Sequence, residues 1–386
     1  MSTDGGRRAG PGSSTARVWA IVLKEFVQMR RDRLTFAMIV GIPLLQVVLF
    51  GYAINTDPRH LPTAVVDYDR SEFTRSIVAG LANTGYFALV PDVASQAQAD
   101  RLLEQGAIQF AIVIPSGFSK SLVRGERPVL LLAADATDPA AAGNALAAVG
   151  VAAASALAPD LTGPLARLAQ GPAPFSIDIQ RRYNPEGVTQ YNIVPALLGV
   201  ILQMTMVMMT AFAVTRERER GTFESLLATP VRPFEVMLGK IAPYVIVGLV
   251  QAVIIVAAAR LLFDVPMQGD MGLLVAAMML FIAALLALGF AFSTVAENQL
   301  QAMQMTIFFF LPSLLLSGFM FPFRGMPSWA QWLGEIFPLT HFLRIVRGIL
   351  LKGNGVSDIA PELWPLAAFL AVVAGVAMLR YRRTLD

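Results

Sequence analysis

The fold of this chain is decided by the stretch IVPALLGVILQMTMVMMTAFAV (residues 193–214), TRERERGTFESLLATPVRPFEVMLGK (215–240) and IAPYVIVGLVQAVIIVAAARLL (241–262). A bilayer core about 30 Å thick needs ~20 apolar residues as a helix, and both flanking runs are long enough. The segment between them is rich in Arg and Glu, which belong in water. The pattern indicates two membrane spans joined by a polar loop.

Composition extends this interpretation to the whole chain. Hydrophobic residues make up 55% of the 386 residues and charged residues only 15%, with a mean hydropathy of +0.60. Such a balance is typical of integral membrane proteins and far from that of soluble domains. The net charge is only +3, and the basic residues gather beside apolar runs, so they indicate membrane orientation rather than nucleic-acid binding. Because the chain has no cysteine, disulfides, thiol nucleophiles and thiolate metal sites are excluded.

We predict a polytopic α-helical membrane protein with six transmembrane helices. The predicted spans cover residues 34–54, 193–214, 241–262, 271–292, 302–323 and 363–381. The first is too long for a cleavable signal sequence and is expected to stay as an anchor. The alanine-rich stretch 140–158 is an alternative seventh span. Alanine inserts poorly compared with leucine, so a packed surface helix is favoured there.

Positive charge sets the predicted orientation. Lys and Arg cluster before the first span, in the 215–240 loop and in the 382–386 tail, which all lie on one side if six helices alternate. The positive-inside rule makes that side cytoplasmic, with both termini inside. Residues 1–14 are predicted to be disordered. Residues 15–33 have helical apolar spacing and are predicted to form a cytoplasmic interfacial helix, lying on the membrane or packed on other protein.

Residues 55–188 are then extracytoplasmic and are predicted to form an inserted α/β domain. Short β-rich runs alternate there with polar stretches of helical character. The predicted strands are 63–67, 86–91, 108–114 and 129–133, and the predicted helices are 71–83 and 95–105.

The polar loop 215–240 contains a predicted short helix. The alternating RERER run keeps the end of the preceding helix soluble, and Gly221 ends or bends it. Thr222 can cap a new helix, which Pro230 stops. A bare charge run of this kind often does no more than solvate a loop.

The loop nevertheless resembles a known signature. The order Glu219, Arg220, Gly221, Thr222, Glu224, Leu226, Leu227, Thr229 and Pro230, followed by Gly239, Lys240 and Pro243, is similar to that of ABC exporter permeases of the type-2 (type V) class. The resemblance extends over almost the whole chain, to bacterial drug and lipid exporter permeases with a large periplasmic domain after the first transmembrane helix.

That resemblance implies a role for the loop. The segment 222–229 corresponds to the coupling helix, which docks on a separate ABC ATPase subunit. The residues implied in this coupling are Glu219, Gly221, Thr222, Phe223, Glu224, Leu226, Leu227, Thr229 and Pro230. The resemblance also implies a dimer of permeases, either a homodimer or a heterodimer with a sister permease, with a periplasmic adaptor as a further possible partner.

Motifs that the chain lacks also favour a permease that relies on a separate ATPase. The chain has no G-x-x-x-x-G-K followed by Ser or Thr, so we expect no ATPase or other enzyme activity of its own and no bound cofactor. ATP and Mg²⁺ are expected on the partner subunit. The six predicted spans contain no Asp, Glu or His, which argues against an ion-coupled secondary transporter.

Two further groups of residues are candidate sites. Methionine and aromatic side chains can repack around varied apolar ligands, although lipid-facing or packing roles explain them equally. The candidate translocation path comprises Gln203, Met204, Met208, Met305, Phe308 and Phe309. The segment 324–353 resembles the re-entrant outer helices of the family, and its candidate outer-gate residues are Pro338, His341, Phe342 and Arg344. A lone histidine is more often structural than a ligand or proton relay, and no metal site is predicted.

Three functions are compatible with these observations. The favoured one is the permease subunit of an ATP-driven exporter for a hydrophobic or amphiphilic, drug-like or lipid-like compound. The second is a membrane-anchored envelope assembly or sensor component driven by an ATPase. The third is an ion-coupled secondary transporter.

Overall fold

The computed structural model describes residues 58–91, 93–169, 173–219 and 233–383. The predicted disordered segment 1–14, interfacial helix 15–33 and first span 34–54 lie outside the described residues. So do residues 220–232, which hold the predicted coupling helix, and the last three residues of the tail.

Five strands form one sheet between residues 61 and 182. The strands are β1 (Leu61–Asp67), β2 (Phe87–Val90), β3 (Phe110–Ile114), β4 (Val129–Asp135) and β5 (Ser176–Arg182). Their order is β2-β1-β3-β4-β5. Only the β3–β4 pair is antiparallel, and its register places Ile112 opposite Leu132. We call this part of the chain, with its helices, the sheet domain.

Both faces of the sheet are covered by helices, as expected from its central strand β3, which is apolar throughout and fully buried. On β3, Phe110, Ile112 and Ile114 face one core, whereas Ala111 and Val113 face the other. The larger side chains lie under α1 (Glu72–Asn83), α3 (Phe118–Arg124) and α4 (Pro139–Ala156). The smaller ones lie under α2 (Gln96–Glu104). A short helix, α5 (Ala166–Ala169), precedes β5.

Strands and helices alternate between residues 61 and 182, and three of these elements, β5, α3 and α5, were not predicted. The packed helix predicted from the alanine-rich stretch is α4, whose Ala142, Ala145 and Ala152 are buried in the sheet-domain core. Strand β5 was not predicted, because its sequence SIDIQRR is polar and largely exposed. Helix α3 was also missed.

Five long helices follow and form, with two short ones, the helical bundle. The long helices are α6 (Thr189–Glu219), α7 (Pro233–Phe263), α8 (Met271–Val295), α9 (Gln299–Leu316) and α12 (Val356–Arg383). Within the described residues, these five are long and apolar enough to cross a membrane. The short helices α10 (Ser328–Gly334) and α11 (Pro338–Arg347) lie between α9 and α12, where short helices were predicted.

Helix α8 forms the centre of the bundle. It packs against α6 and α12, and most of its side chains from Leu274 to Phe290 are buried. The Phe281 ring stacks on Phe342 of α11, with 4.0 Å between ring centroids and nearly parallel planes. At Gly289 the neighbouring helix approaches so closely that an added Cβ would lie 2.6 Å from the carbonyl oxygen of Val207.

One predicted span boundary is wrong, and one helix extends beyond its predicted span. The predicted span 302–323 ends too late, because α9 stops at Leu316 and Gly318 turns the chain with a φ of +82°. The predicted span 363–381 lies within α12, which starts at Val356. Helix α12 therefore includes Asp358 and Glu362 near its beginning, where other polar groups surround them.

The close approach at Gly289 gives the first prediction. Gly289→Ala should lower the thermal unfolding temperature of the purified protein, because overpacking typically costs about 1–3 kcal/mol. Gly375→Ala is the matched control, since an added Cβ at this α12 position meets nothing within 4 Å. Unfolding of both variants at the same temperature would show that the α6–α8 contact is not tight.

Candidate functional site: a polar layer between the sheet domain and the helical bundle

Of the predicted coupling residues, only Glu219 lies among the described residues. The other eight fall within 221–230, so their predicted role stays a prediction. Glu219 is the last residue of α6, and its carboxylate contacts the beginning of α9. The backbone N–H of Gln299 donates to Oε1 at 2.7 Å, and the Gln299 amide donates to Oε2 at 2.5 Å.

This contact is favourable for a general reason. The first N–H groups of a helix have no partner within the helix, and a carboxylate satisfies them while facing the positive end of the helix dipole. Glu219 therefore joins the end of α6 to the start of α9 beside the loop that carries the predicted coupling helix.

The candidate path residues do not share one surface. Gln203 is buried between α6 and α9, where Ser313 Oγ donates to its Oε1 at 3.1 Å. Its Nε2 atom has no partner among the described residues. Met204, the next residue on α6, is 40% exposed, as is Phe308 on α9.

The remaining path residues lie between these extremes. Met208 is half-buried. Met305 packs on a small alanine cluster, and Phe309 contacts the rings of Phe292 and Phe337 edge-on. Within this single chain, some of the six candidate path residues are therefore buried and others are exposed.

The candidate outer-gate residues lie in α11, but they do different things. Pro338 is buried in the first turn of α11, where its missing N–H costs nothing. Phe342 belongs to the apolar core through its stacking on Phe281. His341 and Arg344 instead lie in a polar layer at the end of the bundle beside the sheet domain.

Arg344 links two carboxylates in this layer. Its Nη2 donates to Glu335 Oε1 at 2.7 Å, and its Nη1 donates to Glu362 Oε1 at 3.1 Å. The guanidinium also lies over the Phe323 ring, 4.5 Å from its centroid. Arg344 therefore ties α12 to the turn between α10 and α11.

His341 completes the same network. It is 4% exposed; Nδ1 lies 2.6 Å from Glu362 Oε2, and Nε2 lies 2.9 Å from the backbone carbonyl oxygen of Glu335. Both ring nitrogens therefore have a hydrogen-bond partner, one on α12 and one just after α10. The geometry agrees with the structural interpretation of this histidine.

Glu335, His341 and Glu362 also have the spacing of metal ligands, with their donor atoms within 4.8 Å of one another. Arg344 already donates to both carboxylates, so a divalent cation would have to displace a guanidinium. The donor set therefore fits an ion-pair network better than a metal centre.

A second ion pair joins the sheet domain to the bundle. Lys352 Nζ lies 2.6 Å from Asp135 Oδ2, and the two side chains are only 7% and 8% exposed. The ammonium also donates to the carbonyl oxygen of Leu103 at 2.9 Å and lies over the Tyr183 ring. Burial and the charge of Asp135 raise the pKa of Tyr183, so its hydroxyl stays neutral.

Further hydrogen bonds reinforce this junction. Arg324 donates to the carbonyl oxygen of Gly106, and Asn354 donates to that of Glu104 at 3.1 Å. Asn192, near the start of α6, donates to Thr137 O at 2.8 Å. The sheet domain is thus held by the bundle at several points.

Sequence reasoning missed most members of this layer. It identified His341 and Arg344, but not their partners Glu335 and Glu362, nor the Lys352–Asp135 pair. One signal was available: in the predicted topology Arg324, Arg344, Arg347 and Lys352 lie on the outer side, against the positive-inside rule, and basic residues placed there call for specific partners.

The fold and this layer define a class: a polytopic helical membrane protein with several apolar helices and a polar junction at one end. A family profile described as "ABC-2 family transporter protein" matches residues 33–379, and the chain belongs to this family. Members are transport permease subunits that work with ABC ATPase subunits.

Curated relatives of this family match the chain over almost their full lengths. The chain is 28% identical to the "Probable multidrug ABC transporter permease YbhR" of Escherichia coli over 370 residues, covering 95% of this chain and 98% of the relative. It is 29% identical to the "Probable multidrug ABC transporter permease YbhS" over 98% of this chain and all of the relative. It is also 29% identical to the "Inner membrane transport permease YhhJ", over 95% and 97%.

The Lys352–Asp135 pair gives the second prediction. Lys352→Met or Asp135→Asn alone should destabilise the protein by about 3 kcal/mol or more, because each leaves a buried charge without its partner. The double variant should lose less than the sum of the two. Thermal unfolding of the four proteins measures this coupling.

The matched control is an exposed ion pair of the sheet domain. Arg75 and Glu72 lie 3.9 Å apart with side chains 73% and 90% exposed, so Arg75→Met should change stability little. Purely additive losses at Lys352 and Asp135 would contradict the assignment of this pair as the junction.

Proposed function

We propose that the chain is the membrane-spanning permease of an ATP-driven exporter, which moves a hydrophobic or amphiphilic compound out of the cytoplasm or the inner leaflet. A separate ATPase subunit, carrying ATP and Mg²⁺, docks on the coupling helix at 222–229. Two permeases, identical or sister chains, form the transport unit in a bacterial inner membrane. The termini are cytoplasmic and the sheet domain is extracytoplasmic.

The Glu219–Gln299 contact is the observation that carries the coupling mechanism. It joins the end of α6, immediately before the loop, to the first residue of α9. A displacement of the loop is therefore transmitted to α9 through two hydrogen bonds to a carboxylate. Hydrogen bonds to charged groups are worth about 1.5–3 kcal/mol, enough to bias a two-state helix.

The opposite end of α9 leads to the polar layer. Arg347 of α11 donates to the carbonyl oxygen of Gly318, just after α9, at 3.2 Å. The same guanidinium donates to Asn192 Oδ1 of α6 at 3.2 Å. Helix α9 thus has contacts at both ends through which a cytoplasmic movement reaches the proposed outer gate.

The substrate class is supported by surface chemistry. Met204 and Phe308 are exposed on α6 and α9, where a second permease could enclose an apolar path. Two curated relatives carry the description "probable multidrug", which agrees with a compound of loose chemical specificity.

Transport by the assembled complex is the direct test. The tagged chain is co-purified with its ATPase and reconstituted into proteoliposomes, and ATP-dependent movement of ethidium and of a fluorescently labelled phospholipid is measured. Glu224→Lys, or Leu226→Asp with Leu227→Asp, should abolish ATPase association and transport while membrane insertion persists. Glu72→Lys, on a side chain 90% exposed in the sheet domain, is the control and should transport normally.

The outcomes separate the candidate functions. Normal transport and ATPase association in the loop variants would contradict the coupling assignment. ATPase association with no transported probe would favour the assembly or sensor function. Transport that needs an ion gradient but no ATP would favour the secondary transporter.

Glu219 provides a test of transmission apart from docking. Glu219→Ala should keep ATPase association but lower the amount transported per ATP hydrolysed several-fold, because the link to Gln299 is lost. Glu126→Ala, at an exposed position of the sheet domain, is the control. An unchanged transport-to-hydrolysis ratio in Glu219→Ala would rule out this route.

A further inference from the structure

A cavity of roughly 400 Å³ lies within the polar layer, between the sheet domain and the bundle. Its walls come from the end of α2, from the turn before α10, from α11 and from the first turns of α12. Its size is within the range of small-ligand sites, but charged and polar side chains predominate in its lining. The cavity therefore suits a charged group rather than an apolar drug.

Several charges in the lining are already paired. Lys352 is paired with Asp135, and Arg344 lies between Glu335 and Glu362. These pairs hold the walls together, and we do not assign their charges to a ligand.

Two guanidinium groups remain. Among the described residues, Arg324 donates to the carbonyl oxygens of Gly106 and Ala107, and Arg347 donates to Asn192 and to the carbonyl oxygen of Gly318. Within the described ranges, neither forms an ion pair with a carboxylate. Each guanidinium has five N–H donors, so both keep donors that these contacts do not use. Burial lowers the pKa of Arg324, and the nearby charge of Arg344 lowers it further. An anion bound beside Arg324 would raise this pKa again, because it stabilises the charged guanidinium.

Two carboxylates remain as well. Glu104, at the end of α2, and Asp358, in α12, both line the cavity. Asp358 accepts a hydrogen bond from the backbone N–H of Gly355 at 3.0 Å. No Lys, Arg or His of the described chain forms an ion pair with either carboxylate. Within the described residues, the cavity thus presents two guanidinium groups and two carboxylates that form no ion pair, although Asp135, Asp138 and Glu335 lie close enough to act on the arginines electrostatically.

Helix α10 separates this cavity from a strongly apolar surface. Gln331 and Glu335 line the cavity, whereas Trp329, Trp332 and Ile336 are exposed on the other side of the helix. Trp332 is 74% exposed, and Trp364 of α12 is 68% exposed. Exposed tryptophans of membrane proteins concentrate at the lipid headgroup level, so the cavity lies at that depth in the orientation proposed above.

We propose that this cavity binds the zwitterionic headgroup of an outer-leaflet phospholipid of the phosphoethanolamine type. The phosphate accepts hydrogen bonds from Arg324 and Arg347, and the ammonium donates to Glu104 and Asp358. The acyl chains follow the apolar side of α10, beside Trp332. Guanidinium groups bind phosphate oxygens with two parallel hydrogen bonds, and an ammonium group has three donors for carboxylates.

The proposal is tested on the full-length chain without its ATPase, so the result does not depend on transport. Calorimetric titration in detergent compares four probes: dihexanoyl phosphatidylethanolamine, dihexanoyl phosphatidylglycerol, O-phosphoethanolamine and inorganic phosphate. The zwitterionic lipid should bind at least about ten-fold more tightly than the anionic lipid. O-phosphoethanolamine should bind more tightly than phosphate, and more weakly than the lipid that shares its headgroup.

Variants assign the two ends of the headgroup. Arg324→Gln should weaken the binding of all four probes. Asp358→Asn should weaken phosphatidylethanolamine and O-phosphoethanolamine about ten-fold, and leave phosphatidylglycerol and phosphate unchanged. Arg101→Gln, at an exposed α2 position outside the cavity, is the control and should bind like the wild type.

Several results would overturn the proposal. They are equal binding of the two lipids, an Asp358→Asn variant with wild-type binding, or no binding of any probe. Thermal unfolding without ligand shows whether Arg324→Gln is folded. If it is not, the Asp358→Asn comparison decides alone, because that change keeps the size of the side chain.

Discussion

The structure depends on the need to satisfy a buried ammonium group at one end of an apolar helical bundle. Lys352 meets Asp135 at 2.6 Å, with a carbonyl oxygen and an aromatic ring as further partners. A buried charge without such partners would cost several kcal/mol. Because Asp135 ends a central strand and Lys352 follows α11, satisfying the charge also fixes the sheet domain on the bundle. Arg324 and Asn354 add hydrogen bonds to backbone carbonyl oxygens at the end of α2 and in the turn that follows it.

Local patterns predicted much of the fold, because the forces that form spans and strands act over short stretches. Helix α8 is apolar over its whole length, as its burial at the centre of the bundle requires. The alternation of large and small residues along β3 likewise reflects its two packed faces. Strand β5 lacks such a pattern, because pairing with β4 rather than burial keeps it extended.

The polar layer could not be predicted in the same way, since its contacts join distant parts of the chain. Asp135 and Lys352 are 217 residues apart, and no local pattern links them. Glu362 lies in α12 just before the predicted span 363–381, and Arg344 and His341 of α11 compensate its charge. The candidate path residues differ in exposure for a simpler reason: consecutive residues on a helix point in different directions, so Gln203 is buried and Met204 is exposed.

Lys352 closes a π-helical turn, Gly348–Lys352, which joins α11 to the loop before α12. A π-helical turn accommodates one more residue than the α-helical turn it replaces. Deleting one residue here would allow a regular α-helix, and every later side chain of the segment would rotate by about 100°. Lys352 would then point away from Asp135, and the ammonium would lose its partner. The spacing between α11 and Lys352 is therefore under a length constraint, so insertions and deletions at this turn should be tolerated far less than substitutions of its apolar residues.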